Sequence, residues 1–328
     1  MGKTLRSERI PGGLITIQKT TQQRGNCSGN EQGFALVVAL LVLLWIAPGS
    51  SDPVFAQTVT QVSRDIAPAT LTRLQGQIAN GSVEVRRAAL FEIRNLKTAD
   101  ASRLALPALR DKEPIVRASA PASIIFLPRN EAARALIPLL SDRDEFVRRE
   151  AAYALGDVGD PAATLPLLQS MQRDKVFEVR TAAAVALGKI GDVNAIDKLL
   201  AVLKTRPREE DEFLRRSVAR SIGQIAQIVK TGNKSVLTPQ NFLPDKFKKV
   251  EPTSGTIDPR LSEATDVLIG VLRNTAESDD TRREAAFSLG AIGDTRAAPV
   301  LETFVSAADP YLAEIAREAL LKIAKAGT

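Results

Sequence analysis

Arginine recurs through this chain at a spacing that suggests a shared task. Arg86, Arg117, Arg148, Arg180 and Arg215 follow one another at intervals of 31, 31, 32 and 35 residues, and Arg282 comes 67 further on. One guanidinium per unit makes a basic stripe that can hold an acidic partner. It can equally pair with carboxylates of its own fold, as Asp144 with Arg148 or Asp211 with Arg215, each four apart on a helix. The second reading is the expected one, so the six count as structural repeat arginines, with Asp160, Asp192 and Asp294 adding pairs between units. A second group, Lys230, Lys234, Lys246, Lys248 and Lys249, has Phe242 and Phe247 between its members. Lysines interleaved with aromatics suit anionic chains. Lys246, Phe247, Lys248 and Lys249 are therefore the candidate partner-binding residues, against the alternative of a solvated loop. The run Glu209, Glu210, Asp211 and Glu212 lacks the glycine turn of a calcium loop. It reads as a solvated helix start whose charge favours the helix dipole.

The missing residue types exclude more than the present ones suggest. Histidine is absent from all 328 residues, and the single cysteine and tryptophan, Cys27 and Trp45, fall in the first 56. The remainder cannot build a Cys/His zinc site, a thiol nucleophile or histidine catalysis. It contains no G-x-S-x-G, H-E-x-x-H or C-x-x-C motif and no phosphate-binding glycine loop. Carboxylate catalysis stays open, but nothing singles out a pair. No catalytic residue, metal or cofactor is expected, and the chain reads as a non-enzyme.

Residues 34–47, FALVVALLVLLWIA, form an unbroken apolar run. It is shorter than the roughly 20 residues a membrane-spanning helix needs, and it follows a basic flank, as in a secretory leader. Val54-Phe55-Ala56 offers small residues where a signal peptidase reads. Residues 1–56 are expected to be removed, leaving 57–328 as the folded domain and no stable membrane insertion. Of the 44 basic and 38 acidic residues, the leader holds five and three, so the domain keeps 39 and 35, a net charge of +4. The protein is expected in the periplasm or outside the cell; the alternative is an uncleaved anchor at 34–47.

The elements that position the arginines come from a repeat. Residues 144–160 read DEFVRREAAYALGDVGD, 177–192 read FEVRTAAAVALGKIGD and 281–294 read TRREAAFSLGAIGD. Val147, Ala151, Leu155 and Val158 recur at steps of three and four, one stripe of a helix. Gly159 suits the left-handed residue that ends a helix, Asp160 caps the next, and Pro161 fits its first turn. Each period is thus helix, tight turn, helix, loop. First helices are expected near 83–96, 114–127, 145–158, 177–190, 212–228, 280–292 and 309–325. Second helices are expected near 99–110, 131–141, 162–173, 194–204, 261–274 and 296–307, with a leading helix near 68–79. Residues 231–260, rich in proline and glycine, read as an insertion between the helices of the fifth unit. The fold class is all-α, a solenoid of about seven two-helix units with that one irregular insertion.

Over about residues 80–325 these units resemble HEAT-like repeats of the phycobilisome-lyase type. That resemblance implies an armadillo-type α-solenoid whose second helices line a long groove. The family includes bilin lyases, phycobilisome-degradation factors, an iron-dependent deoxyhypusine hydroxylase and scaffolds. The hydroxylase's iron site needs histidines, which this chain lacks. The expected function is therefore an exported, non-catalytic scaffold binding another protein along the groove, with no nucleic acid expected. The alternative is a lyase-like or chaperone factor acting on a bound protein.

Overall fold

The computed structural model describes residues 66–232 and 258–326, which belong to one compact unit, Arg64–Thr328. Among the described residues there are helices and turns and no strand. A leading helix, α1 (Pro68–Asn80), precedes seven first helices: α2 (Val83–Leu96), α4 (Pro114–Ser119), α6 (Glu145–Val158), α8 (Phe177–Ile190), α10 (Glu212–Thr231), α12 (Asp279–Ile292) and α14 (Pro310–Ala326). Second helices alternate with them: α3 (Ala99–Leu104), α5 (Arg129–Leu136), α7 (Thr164–Arg173), α9 (Ile196–Leu203), α11 (Pro259–Arg273) and α13 (Ala298–Glu302). First helices touch one another in sequence order, and α5, α7, α9, α11 and α13 each pack on the first helix that follows. This is the expected all-α solenoid. Residues 233–257 separate α10 from α11, yet α10 touches α12 and α9 touches α11, so the stacking order carries through.

Local chemistry sets the helix ends. Asp144 Oδ1 accepts from the amides of Phe146 and Val147 and starts α6. Gly159, at φ 68°, ends it, its N–H donating to the Leu155 carbonyl. Gly191 and Gly293 repeat that geometry after α8 and α12. The corresponding position after α2 is Lys97, held left-handed at φ 54° without glycine's freedom. The helix expected over 114–127 breaks: α4 stops at Ser119 and Pro121 opens a 3₁₀ turn, Pro121–Ser123. Proline lacks the N–H for the next intrahelical bond, and its ring collides with the carbonyl four residues back. Pro107 and Pro138 likewise divide the second helices expected over 99–110 and 131–141 into an α part and a 3₁₀ part.

A seam of small residues sets how closely first helices approach. A Cβ on Gly156 would lie 2.8 Å from Ala186 Cα, one on Gly188 2.6 Å from Ser221 Oγ, and one on Gly290 2.7 Å from Ala319 Cα. Where the facing residue is serine, it also bonds the previous helix. Ser123 Oγ donates to the Leu90 carbonyl, Ser221 to Ala184 and Ser288 to Ala219, at 2.8–2.9 Å. Val147, Ala151 and Leu155, from the predicted stripe, are completely buried. The core is thus a continuous layer of Ala, Leu, Val and Ile between the two helix sets.

Candidate functional site

The repeat arginines are withdrawn from solvent, Arg117, Arg148 and Arg215 most of all. Arg117 grips Asp142 with Nε and Nη2, each at 2.9 Å, and Arg148 grips Asp174 at 2.7 and 3.0 Å. Arg86 pairs with Asp111, and Arg215 with Glu277 in a pair closed to solvent. The partner lies in the loop before the next first helix, 25–26 residues on for the first three. The same guanidinium reaches back to a carbonyl: Arg148 Nη1 donates to Asp142 O at 2.9 Å, and Arg117 Nη1 to Asp111 O at 2.8 Å. Asp111 and Asp142 thereby each receive one arginine on the carboxylate and the next on the carbonyl, whereas Arg180 donates to the Met171 carbonyl rather than to that of Asp174. The chain positions expected as partners do other work. Asp144 is a helix cap, and Asp211 takes Arg208 and, at 3.8 Å, Arg180. That leaves Asp211 buried rather than solvated. Arg282 lies beside Asp279 at 3.4 Å and donates to the Leu272 carbonyl. Asp160 and Asp192 cap the turns that follow them. Asp294 caps its own turn too and is gripped by Arg296, which reaches on to Asp266.

Open surface chemistry lies elsewhere. Of the nine large apolar side chains exposed among the described residues, eight sit on first helices, Leu165 being the exception. Ile115, Phe146, Phe213 and Tyr311 each stand two positions before the repeat-arginine site of their unit. Clefts open between first helices beside them, where the glycine and alanine seam leaves room. One, of about 350 Å³, runs over α4 between α2 and α6; a second, of about 570 Å³, lies over α10. A third, of about 200 Å³, lies between α10, α12 and α14. These three clefts are lined by first helices, because the pattern that stacks those helices supplies both the small floor residues and the long side chains that wall them; a fourth, of about 770 Å³, lies between α13 and α14.

Arginines of a second set wall these clefts. Arg87, Arg149, Arg216 and Arg283 each follow a repeat arginine directly. Arg149 stacks over Phe146 with its Cζ 5.1 Å from the ring centroid, and Arg283 over Tyr311 at 5.3 Å. The doublets Arg86-Arg87, Arg148-Arg149, Arg215-Arg216 and Arg282-Arg283 were the available signal. Adjacent helix positions point about 100° apart, so one arginine turns into the fold while the next faces the cleft. In the C-terminal clefts, Arg216 meets Asp280 at 2.9 Å, Arg220 meets Glu284 at 2.9 Å and Arg283 meets Asp309 at 2.7 Å. Burial pushes the Glu284 carboxyl above its ordinary value, against the pull of Arg220. The hydrogen bond from Arg283 holds Asp309 below its own.

Comparison with known proteins follows the same lines. The family model for HEAT repeats matches residues 71–155 and 133–223, and that for the PBS lyase HEAT-like repeat matches 281–306. The chain is a HEAT-like repeat protein. No curated protein matches it. Among solved structures it is similar to the CpcE–CpcF complex of phycocyanin lyase from Nostoc sp. PCC7120, at 20% identity over 84% of this chain and 92% of that one, TM-score 0.43. It is similar to human deoxyhypusine hydroxylase at 17% identity over 78% and 96%, TM-score 0.30. It is also similar to a designed armadillo repeat protein in complex with the peptide (KR)4, at 16% identity over 77% and 99%, TM-score 0.38. Fold likeness at this level does not carry an activity.

In this HEAT-like repeat protein, no group of three or more histidine, cysteine, aspartate or glutamate residues is placed to hold a metal among the described residues. No helix among them is long and apolar enough to cross a membrane. The candidates Lys246, Phe247, Lys248 and Lys249 lie outside the described residues, as does the leader, 1–56.

Proposed function

We propose that this HEAT-like repeat protein is an exported, non-catalytic scaffold that holds a partner protein against its first-helix face. One observation carries the reading: the exposed apolar side chains concentrate on first helices, beside clefts walled by arginine. An apolar contact rimmed by polar groups is the usual make-up of a recognition surface. Arginine and aromatic residues are the side chains most enriched at its energetic centre. A photo-crosslinking residue placed at Phe146 or Phe213 tests this in the native host. Partner adducts are expected from both positions and none from Leu165, which is equally open on the second-helix side; adducts from Leu165 alone would place the partner on the other face. Export is tested separately by intact mass, with a mature chain beginning at Gln57 expected.

A second reading, a lyase-like factor acting on a bound protein, draws on the PBS lyase HEAT-like match over 281–306. Visible absorbance from a bilin attached to a light-harvesting protein on co-expression would favour it.

A further inference from the structure

We infer that the cleft over α4 is a docking slot for an acidic peptide segment in which one apolar side chain is flanked by carboxylates. The inference rests on the scaffold reading and gives its partner a chemistry. The slot's floor is Ala118 and Ser119 on α4, Ala122 in the turn that Pro121 opens, and the exposed Ile115 at the start of α4. Its walls are tall. Phe91 on α2 is 65% exposed and Phe146 on α6 is 51% exposed, so an apolar side chain resting on the floor is enclosed from both sides.

Charge selects the flanks. Three arginines, Arg87, Arg94 and Arg149, line the slot against one carboxylate, Glu150. Arg87 and Arg94 are exposed and have no ion-pair partner among the described residues. Arg149 is paired with its own neighbour, Glu150, at 3.0 Å, which leaves donors of its planar fork free for a second carboxylate. Helices pack about 8–10 Å apart, so the two walls stand roughly 20 Å apart from axis to axis. An extended chain advances about 3.3 Å per residue, so about six residues reach from the Arg87 wall to the Arg149 wall. The fitting segment thus carries carboxylates about six positions apart with an apolar residue midway.

Fluorescence anisotropy with the purified chain tests it. The probe is a labelled heptapeptide with glutamate at both ends, leucine at the centre and glycine between; its partner probe has lysine at both ends. The glutamate probe is expected to bind, and Arg87→Glu or Arg149→Glu to weaken it about tenfold or more. Arg134→Glu, the same charge change on the exposed side of α5, is expected to leave it unchanged, and melting curves check that each variant folds. Failure of the glutamate probe to bind, equal binding of the lysine probe, or loss of binding in Arg134→Glu would overturn the inference. So would a short oligothymidylate bound as tightly through the same arginines, since the slot would then take any polyanion. If crosslinks form at Phe146 while no acidic peptide binds, this inference fails and the scaffold reading stands.

Discussion

The cleft over α4 and the clefts over α10 and α12 are built from the same repeat positions, yet their arginines face different things. In the C-terminal clefts Arg216, Arg220 and Arg283 are each met by a carboxylate from the neighbouring first helix or the loop before it. Over α4 two of the equivalent carboxylates are missing, because Ile115 and Ser119 stand where Asp280 and Glu284 stand in α12. One repeat pattern thus yields a self-neutralised surface at one end and an unsatisfied one at the other. The lesson is that a repeat position specifies direction, while the neighbouring unit decides whether the group there is spent on the fold or left for a partner.

Several substitutions break or sharpen that contrast. The largest effect is expected from Arg215→Ala, which strands Glu277, its partner in a pair closed to solvent. Removing one member of a buried pair costs about 3–5 kcal/mol, and urea denaturation should show it. Replacing both members by leucine should recover much of that loss. Gly188→Val follows: its side chain would meet Ser221, and overpacking costs about 1–3 kcal/mol. Gly76→Ala, with nothing within 4 Å of its new Cβ, should by contrast be neutral or stabilising.

Asp280→Asn with Glu284→Gln acts on the contrast itself. With its carboxylate removed, Arg216 should give the C-terminal clefts an affinity for the glutamate heptapeptide, raised about tenfold over the parent, or about 1.4 kcal/mol. No gain would mean that wall shape, not free charge, distinguishes the two ends. Lys97→Gly should stabilise the N-terminal end by about 0.5–1 kcal/mol, by relieving a left-handed lysine.

Acid gives the smallest and most graded effect. At Asp142 burial works to raise the carboxyl, but the Arg117 hydrogen bond, the Asp144 amide and the Arg117 charge outweigh it and hold it below its ordinary value. Asp309 is likewise low. Depressed carboxyls contribute stability that is present above the unfolded value, about 3.9, and lost as pH falls through the folded one. Glu284 has the opposite sign: its folded form holds the proton to higher pH than the unfolded form does, so its contribution is present below about 4.3 and lost as pH rises through its folded value. The melting temperature of the parent should fall in acid, and Glu284→Gln should remove only the opposing part of the curve.

Much of the fold is legible because its determinants are local. The Ala-Leu-Gly and Gly-Asp punctuation places α6, α8 and α12 to within a residue. Gly159, Gly191 and Gly293 end helices for a reason visible in a single turn. The expectation fails at 114–127, where the repeat register hides Pro121, although proline's effect on a helix is itself local. The site was far less legible. The repeat arginines were visible but their partners were not, because Asp142 and Asp174 lie about two helices away in sequence. The cleft arginines hid in plain view as the second letter of each doublet.

Sequence alone determined the helical period, the turns that end each helix and the absence of histidine chemistry, since each depends on residue type and short-range geometry. Only tertiary structure decided that three clefts open between first helices, and which arginines remain unpaired among the described residues. Both depend on what the next unit presents across a gap of about 10 Å, a distance that stacking, rather than spacing along the chain, sets.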